Sequence, residues 1–125
     1  MTAPTSPVPH PADDLDALVG DWLTLPEVAQ RLGIEVSRVR QLLSDHQLVA
    51  LRRDGVLQVP AAFLAGGKVL KGLPGTLTLL ADASFDEVAS VRWLFTDDDL
   101  PGSPVQALTE NRGTEVRRRA QALGF

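Results

Sequence analysis

The stretch Leu23–Leu43, LTLPEVAQRLGIEVSRVRQLL, constrains the fold more than any other part of the chain. Two short segments of helical periodicity meet there at one glycine, Gly33, which leaves room only for a tight turn. In the first segment Thr24 stands as N-cap with Glu27 three residues on, a capping box. Pro26 falls in the first turn, where its missing N–H does no harm. Leu25, Val28, Ala29 and Leu32 share one face, and Gly33 supplies the left-handed stop. The second segment predicts a helix over Val36–Ser44. Val36, Val39, Leu42 and Leu43 form its inward stripe, and Ser37, Arg38, Arg40, Gln41 and Ser44 point outward.

Directly after it comes LVALRRDGVLQVP. Two β-favouring runs, Leu48–Arg52 and Val56–Val59, flank Arg53-Asp54-Gly55, and Asp-Gly tolerates the positive φ angles of a tight hairpin. Pro60 closes the second run. Helix, glycine turn, helix and hairpin together make a winged helix-turn-helix. A major groove admits one helix, whose outward side chains reach base edges while the preceding helix braces it. Ser37, Arg38, Arg40, Gln41 and Ser44 are therefore candidate groove residues. Arg52 and Arg53 are candidate phosphate contacts at the hairpin tip, and His46, Lys68 and Lys71 are further candidate phosphate contacts. The competing reading is that helix–glycine–helix units also build plain bundles, in which exposed arginines only solvate a surface.

The rest of the chain divides around this unit. Residues 1–15 hold four prolines and no periodicity, and they predict a disordered tail, with the folded part covering residues 16–125. After the glycine-rich AGGKVLKGLPG, a helical extension is expected over residues 73–125. A short helix runs Pro74–Ala81. Ser84 caps the next, with Glu87 completing a second capping box and Val88, Val91, Leu94 and Phe95 as its apolar stripe, expected to pack on the first two helices and on Leu77 and Leu80. Ser103-Pro104 opens a brief helix to Leu108, and Gly113–Leu123 forms the last. The fold class is mainly α, a winged helix-turn-helix with a two-stranded wing and additional C-terminal helices. Trp93 reads as core.

Charge is informative by segment. The chain carries a net −4, yet residues 24–72 hold four acids against seven bases, a local balance of +3, while residues 73–125 stand at −3. The positive charge sits on the helix-turn-helix and wing, where a polyanion would dock. No cysteine is present, which excludes disulfides, thiolate nucleophiles and zinc–cysteine sites. No secretory signal and no apolar run near the ~20 residues of a membrane span is visible, so a cytoplasmic, nucleoid-associated protein is expected. Asp97-Asp98-Asp99 lacks the spaced partners a metal site needs, and AGGKVLKG lacks the Gly-Lys-Ser/Thr of a phosphate loop. His10 and His46 have no evident nucleophile beside them. The reading predicts no enzyme, no cofactor and no metal. The run Arg117-Arg118-Arg119 fits either a phosphate contact or a solvated helix end that complements the helix dipole.

These residues carry family resemblances. LTLPEVAQRLGIEVSRVRQLLSDHQLVALRRDGVLQVP resembles the winged helix-turn-helix of the MerR and excisionase type in its L-T-x-x-E-V-A-x-x-L-G opening, V-x-x-L second helix and L-V-A-x-R strand. From Trp22 onward the chain resembles a small actinobacterial DNA-binding family whose mycobacterial member is linked to serine/threonine-kinase signalling, through VLKGLPGTLTLL, RWLF and EVRRRAQALGF. The resemblance implies double-stranded DNA as partner and transcriptional regulation as role. It also implies a Ser/Thr protein kinase acting on the tail hydroxyls Thr2, Thr5 and Ser6. One departure stands out. Glu35 occupies the position where the MerR pattern often has Ser or Thr, and its charge suits the helix start but repels a nearby phosphate. The C-terminal half is similar, more distantly, to the helical domain of Xre/MbcA/ParS-type antitoxins. That likeness implies the alternative, a protein-interaction module whose C-terminal helices bind a partner protein.

Overall fold

The computed structural model describes residues 11–96 and 102–123. Helix α1 (Pro11–Val19) leads into strand β1 (Trp22–Thr24), then helices α2 (Leu25–Leu32) and α3 (Val36–Ser44). Strands β2 (Leu51–Arg53) and β3 (Val56–Pro60) form the wing. A single 3-10 turn at Ala61–Phe63 precedes a second small hairpin, β4 (Leu64–Ala65) and β5 (Lys68–Val69). Four helices follow: α4 (Leu73–Asp82), α5 (Glu87–Phe95), α6 (Pro104–Thr109) and α7 (Gly113–Ala122). The mainly helical winged helix-turn-helix expected from the sequence is the fold observed.

The local chemistry explains the first helices. The Thr24 hydroxyl accepts from the Glu27 amide at 3.4 Å, and the Glu27 carboxylate accepts from the Thr24 amide at 2.8 Å. Gly33 adopts φ 69°, and its amide closes on Ala29 and Gln30 carbonyls. In α3, Glu35 is the N-cap and makes no side-chain capping bond. Its carbonyl alone starts the helix, accepting from the Arg38 and Val39 amides. Only Val39 is fully buried on α3; Val36, Leu42 and Leu43 are half-buried.

The wing differs from the sequence reading in three respects. Asp54 and Gly55, at φ 52° and 79°, make a two-residue turn by themselves. Arg53 therefore belongs to β2, paired with Val56, and is not in the turn. Strand β2 begins at Leu51, so Leu48 and Val49 enter the core without strand pairing. A third strand joins the wing: β1 pairs antiparallel with β3, Thr24 opposite Gln58, giving the order β1-β3-β2. Three residues are too few for an alternating pattern to register in sequence.

The N-terminal boundary also moves. Helix α1 starts at Pro11, inside the segment expected to be a tail, and Leu15 is fully buried. Residues 1–10, with His10, lie outside the described residues. Helix α5 starts differently as well. Its N-cap is Asp86, whose carboxylate accepts from the Ala89 amide at 2.8 Å. Ser84 instead takes a left-handed φ of 71° and terminates α4, donating its amide to Ala81. A Ser-x-x-Glu spacing is thus present without a capping box, because the chain has not yet turned when it passes Ser84. Ser103 does cap α6, accepting from the Gln106 amide.

One apolar cluster holds the chain together. It runs from Leu15, Leu23 and Val28 through Val39, Val59 and Phe63 to Leu73, Leu80, Val91, Leu94 and Val116. Phe63 and Phe95 rings lie 5.5 Å apart at a 33° tilt, joining the wing side to the C-terminal helices. Helix α5 packs chiefly on α1 and α6 rather than on α2 and α3 as expected, and α7 packs on α4 and α6. Val91 and Leu94 are fully buried, whereas Val88, Trp93 and Phe95 are half-buried. Among the described residues no helix is long and apolar enough to cross a membrane.

Candidate nucleic-acid interface

Burial sorts the side chains of α3 cleanly. Val39 is fully buried, and Ser37, Arg38, Arg40, Gln41 and Ser44 are all exposed. Nine residues make a helix about 13 Å long at ~1.5 Å per residue. The apolar stripe holds it against the core and turns the polar face to solvent. Arg38 and Arg40 form no ion pair among the described residues, so their donors remain open. Gln41 is partly engaged: its amide nitrogen donates to both Asp45 carboxylate oxygens, at 3.1 and 3.2 Å, leaving its carbonyl free to accept. Glu35 sits exposed at the start of α3 with no side-chain capping bond, the departure seen in the sequence.

The wing arginines separate into two kinds. Arg52 is exposed and donates across the turn to the Gly55 carbonyl at 3.1 Å, which holds it at the hairpin tip. Arg53 turns the other way. Its guanidinium pairs with Asp16 of α1, donates to Gln58 Oε1 at 3.0 Å and lies 4.4 Å from the centre of the Trp22 ring. The Arg53 side chain is 22% exposed and ties α1, β1, β2 and β3 into one knot. It stands in β2 rather than in the turn, and its guanidinium serves as an internal tie. No local pattern encodes this, because Asp16 lies thirty-seven positions away and a three-residue strand at Trp22 is too short to show an alternation.

The remaining candidates scatter. His46 follows α3 in a left-handed conformation, φ 58°, and lines a cleft of about 260 Å³ with Leu48, Leu57, Leu77, Asp86 and Glu87. Two carboxylates in that cleft make it a poor seat for phosphate. Lys68 lies on the second hairpin and Lys71 just after it, both exposed. Arg117 and Arg118 are exposed on α7, and Arg119 is half-buried. Thr2, Thr5 and Ser6 lie outside the described residues, as do Asp97, Asp98 and Asp99. Among the described residues no three His, Cys, Asp or Glu side chains converge as a metal site would require.

The two hairpins bracket α2. Thr24, the cap of α2, is opposite Gln58 on β3, so the β2–β3 turn projects past the start of that helix. At the other end, β5 packs on α2, and Gly67 comes so near that a Cβ there would lie 3.5 Å from the Arg31 carbonyl oxygen. Around α2 the electrostatics are local. Hydrogen bonds from the Thr24 amide and hydroxyl hold the Glu27 carboxyl below its ordinary pKa, with Arg31 adding a smaller pull in the same direction.

Two helices joined by a glycine turn, a three-stranded wing sheet and a helical cap define a winged helix-turn-helix protein with a C-terminal helical unit. The family described as "DNA-binding protein Rv2175c, wHTH domain" matches residues 7–64, and that described as "Rv2175c C-terminal domain of unknown function" matches residues 70–124. The chain belongs to the Rv2175c family. It is 42% identical over 131 residues to the DNA-binding protein Rv2175c of Mycobacterium tuberculosis (strain ATCC 25618 / H37Rv), covering 92% of this chain and 89% of that protein. The NMR structure of Rv2175c superposes with a TM-score of 0.76 at 39% identity, over 84% of this chain and 82% of that one.

Proposed function

We propose that this protein binds double-stranded DNA, with α3 in the major groove and Arg52 of the wing on the phosphate backbone, and that it acts as a cytoplasmic, nucleoid-associated regulator of transcription. The observation that carries this reading is the division of α3 into a face anchored by Val39 and an outward face of exposed hydroxyl, amide and guanidinium groups. Those are the donors and acceptors that base edges require, and Arg38 and Arg40 are uncommitted. The local +3 over residues 24–72 supports it, since phosphate attraction supplies most of the affinity of such proteins. Membership of a family named for a DNA-binding protein points the same way.

The test is selection of sites from a random duplex pool with the full chain, followed by fluorescence anisotropy on the recovered duplexes. Arg38→Ala is expected to cost about 1–3 kcal/mol on the selected site and to relax preference at one base position. Equal affinity of parent and variant across the panel would remove α3 from the interface.

A further inference from the structure

Between the first turns of α4 and α7 lies a polar cleft of about 290 Å³. Lys71, Asn111, Thr114 and Arg117 line it, with Gly72 and Gly113 among its backbone walls. No carboxylate lines it. The acids next in sequence to Asn111 and Thr114 are paired: Arg112 binds Glu110 at 2.7 Å and Glu115 at 2.8 Å. Lys71 and Arg117 have no ion pair among the described residues, and both are exposed. The Arg117 guanidinium reaches over the opening turn of α4, 3.9 Å from where a Cβ on Gly75 would stand. Neither α4 nor α7 has a side-chain cap. Two cations, a hydroxyl and an amide around an acid-free cleft are the donor set a phosphate oxyanion takes.

The cleft follows directly after the second hairpin along the chain. Lys68 precedes Lys71 by three residues on β5, and β5 packs on α2 beside the Arg31 carbonyl. We propose that the C-terminal helices join the DNA contact here, Lys71 and Arg117 holding a backbone phosphate of the same duplex that α3 engages, with Lys68 on the connecting hairpin. The inference rests on the DNA-binding reading above and gives the C-terminal unit a part in it.

Anisotropy over a salt series, with the full chain and several duplexes, tests this. The variants are Lys71→Ala with Arg117→Gln, Thr114→Glu, and Arg38→Ala as reference. The double variant is expected to weaken every duplex alike and to flatten the log–log salt dependence by about one unit, the share of the single phosphate the pair holds. Thr114→Glu places a carboxylate in the cleft at the second position of α7, where an acid favours the helix. It is expected to keep or raise the melting temperature while weakening DNA, which separates loss of binding from loss of folding. If the parent binds and Arg38→Ala weakens it, but the double variant keeps the parent slope, the C-terminal contact is overturned and the α3 reading stands. If the parent binds no duplex, both fail. Calorimetry with inorganic phosphate supplies the last arm. Arg117-dependent phosphate uptake with an unchanged DNA slope would make the cleft a small-anion site and overturn the duplex as its occupant.

Discussion

At the scale of single residues, Arg52 and Arg53 show how little adjacency in sequence means. Strand alternation sends neighbours to opposite faces, so Arg52 meets solvent while Arg53 meets Trp22, Asp16 and Gln58. Arg53→Ala is expected to lower stability by about 1–2 kcal/mol, since it removes a half-screened ion pair, a hydrogen bond and a cation–π contact. Urea unfolding measures it, and an unchanged midpoint would deny the tie. Glu27 supplies a pH-dependent case. Its carboxyl is held low in the folded chain, so its contribution is full above the ordinary carboxylate range and is lost as pH falls through the lowered folded value. Glu27→Gln should therefore destabilise at neutral pH, and the gap should narrow as pH falls below the usual glutamate range and through the lowered folded value. A gap of equal size at neutral and acid pH would mean that the charge is irrelevant to the cap.

Among elements, α1 departs furthest from expectation. Four prolines and a run of small and polar residues conceal a helix in which Leu15 is fully buried, with α1 packed on α5. Leu15→Ala is expected to cost about 2–5 kcal/mol, read from the shift in denaturation midpoint. A cost within ~0.5 kcal/mol would return α1 to the tail. Helices α2 and α6 were legible because their caps and stops are local: Thr24 with Glu27, Gly33, and Ser103 with Pro104. The start of α5 was not. Ser84-x-x-Glu87 and Asp86-x-x-Ala89 are both plausible openings in sequence, and only the left-handed turn at Ser84, set by how α4 ends, selects the second.

For the whole molecule, the continuous core is the governing fact. Phe63 rests near Phe95 and α1 packs on α5, so the winged half shares its core with the C-terminal helices. A fragment ending at Gly72 is expected to give no cooperative melt by circular dichroism, because ~70 residues cut from this cluster bury too little apolar surface. A sharp two-state transition in that fragment would show that the winged half folds alone. What the sequence determined by itself is what short-range chemistry decides: helix periods, caps, the Asp54-Gly55 turn, the outward polar face of α3 and the +3 of its segment. Tertiary structure alone decided the third wing strand, the inward turn of Arg53, the burial of Leu15 and the meeting of Lys71 with Arg117. Each of those joins residues far apart along the chain. The free energy that selects them comes from desolvating apolar surface and pairing buried polar groups across the fold, and no local pattern encodes which partners will meet.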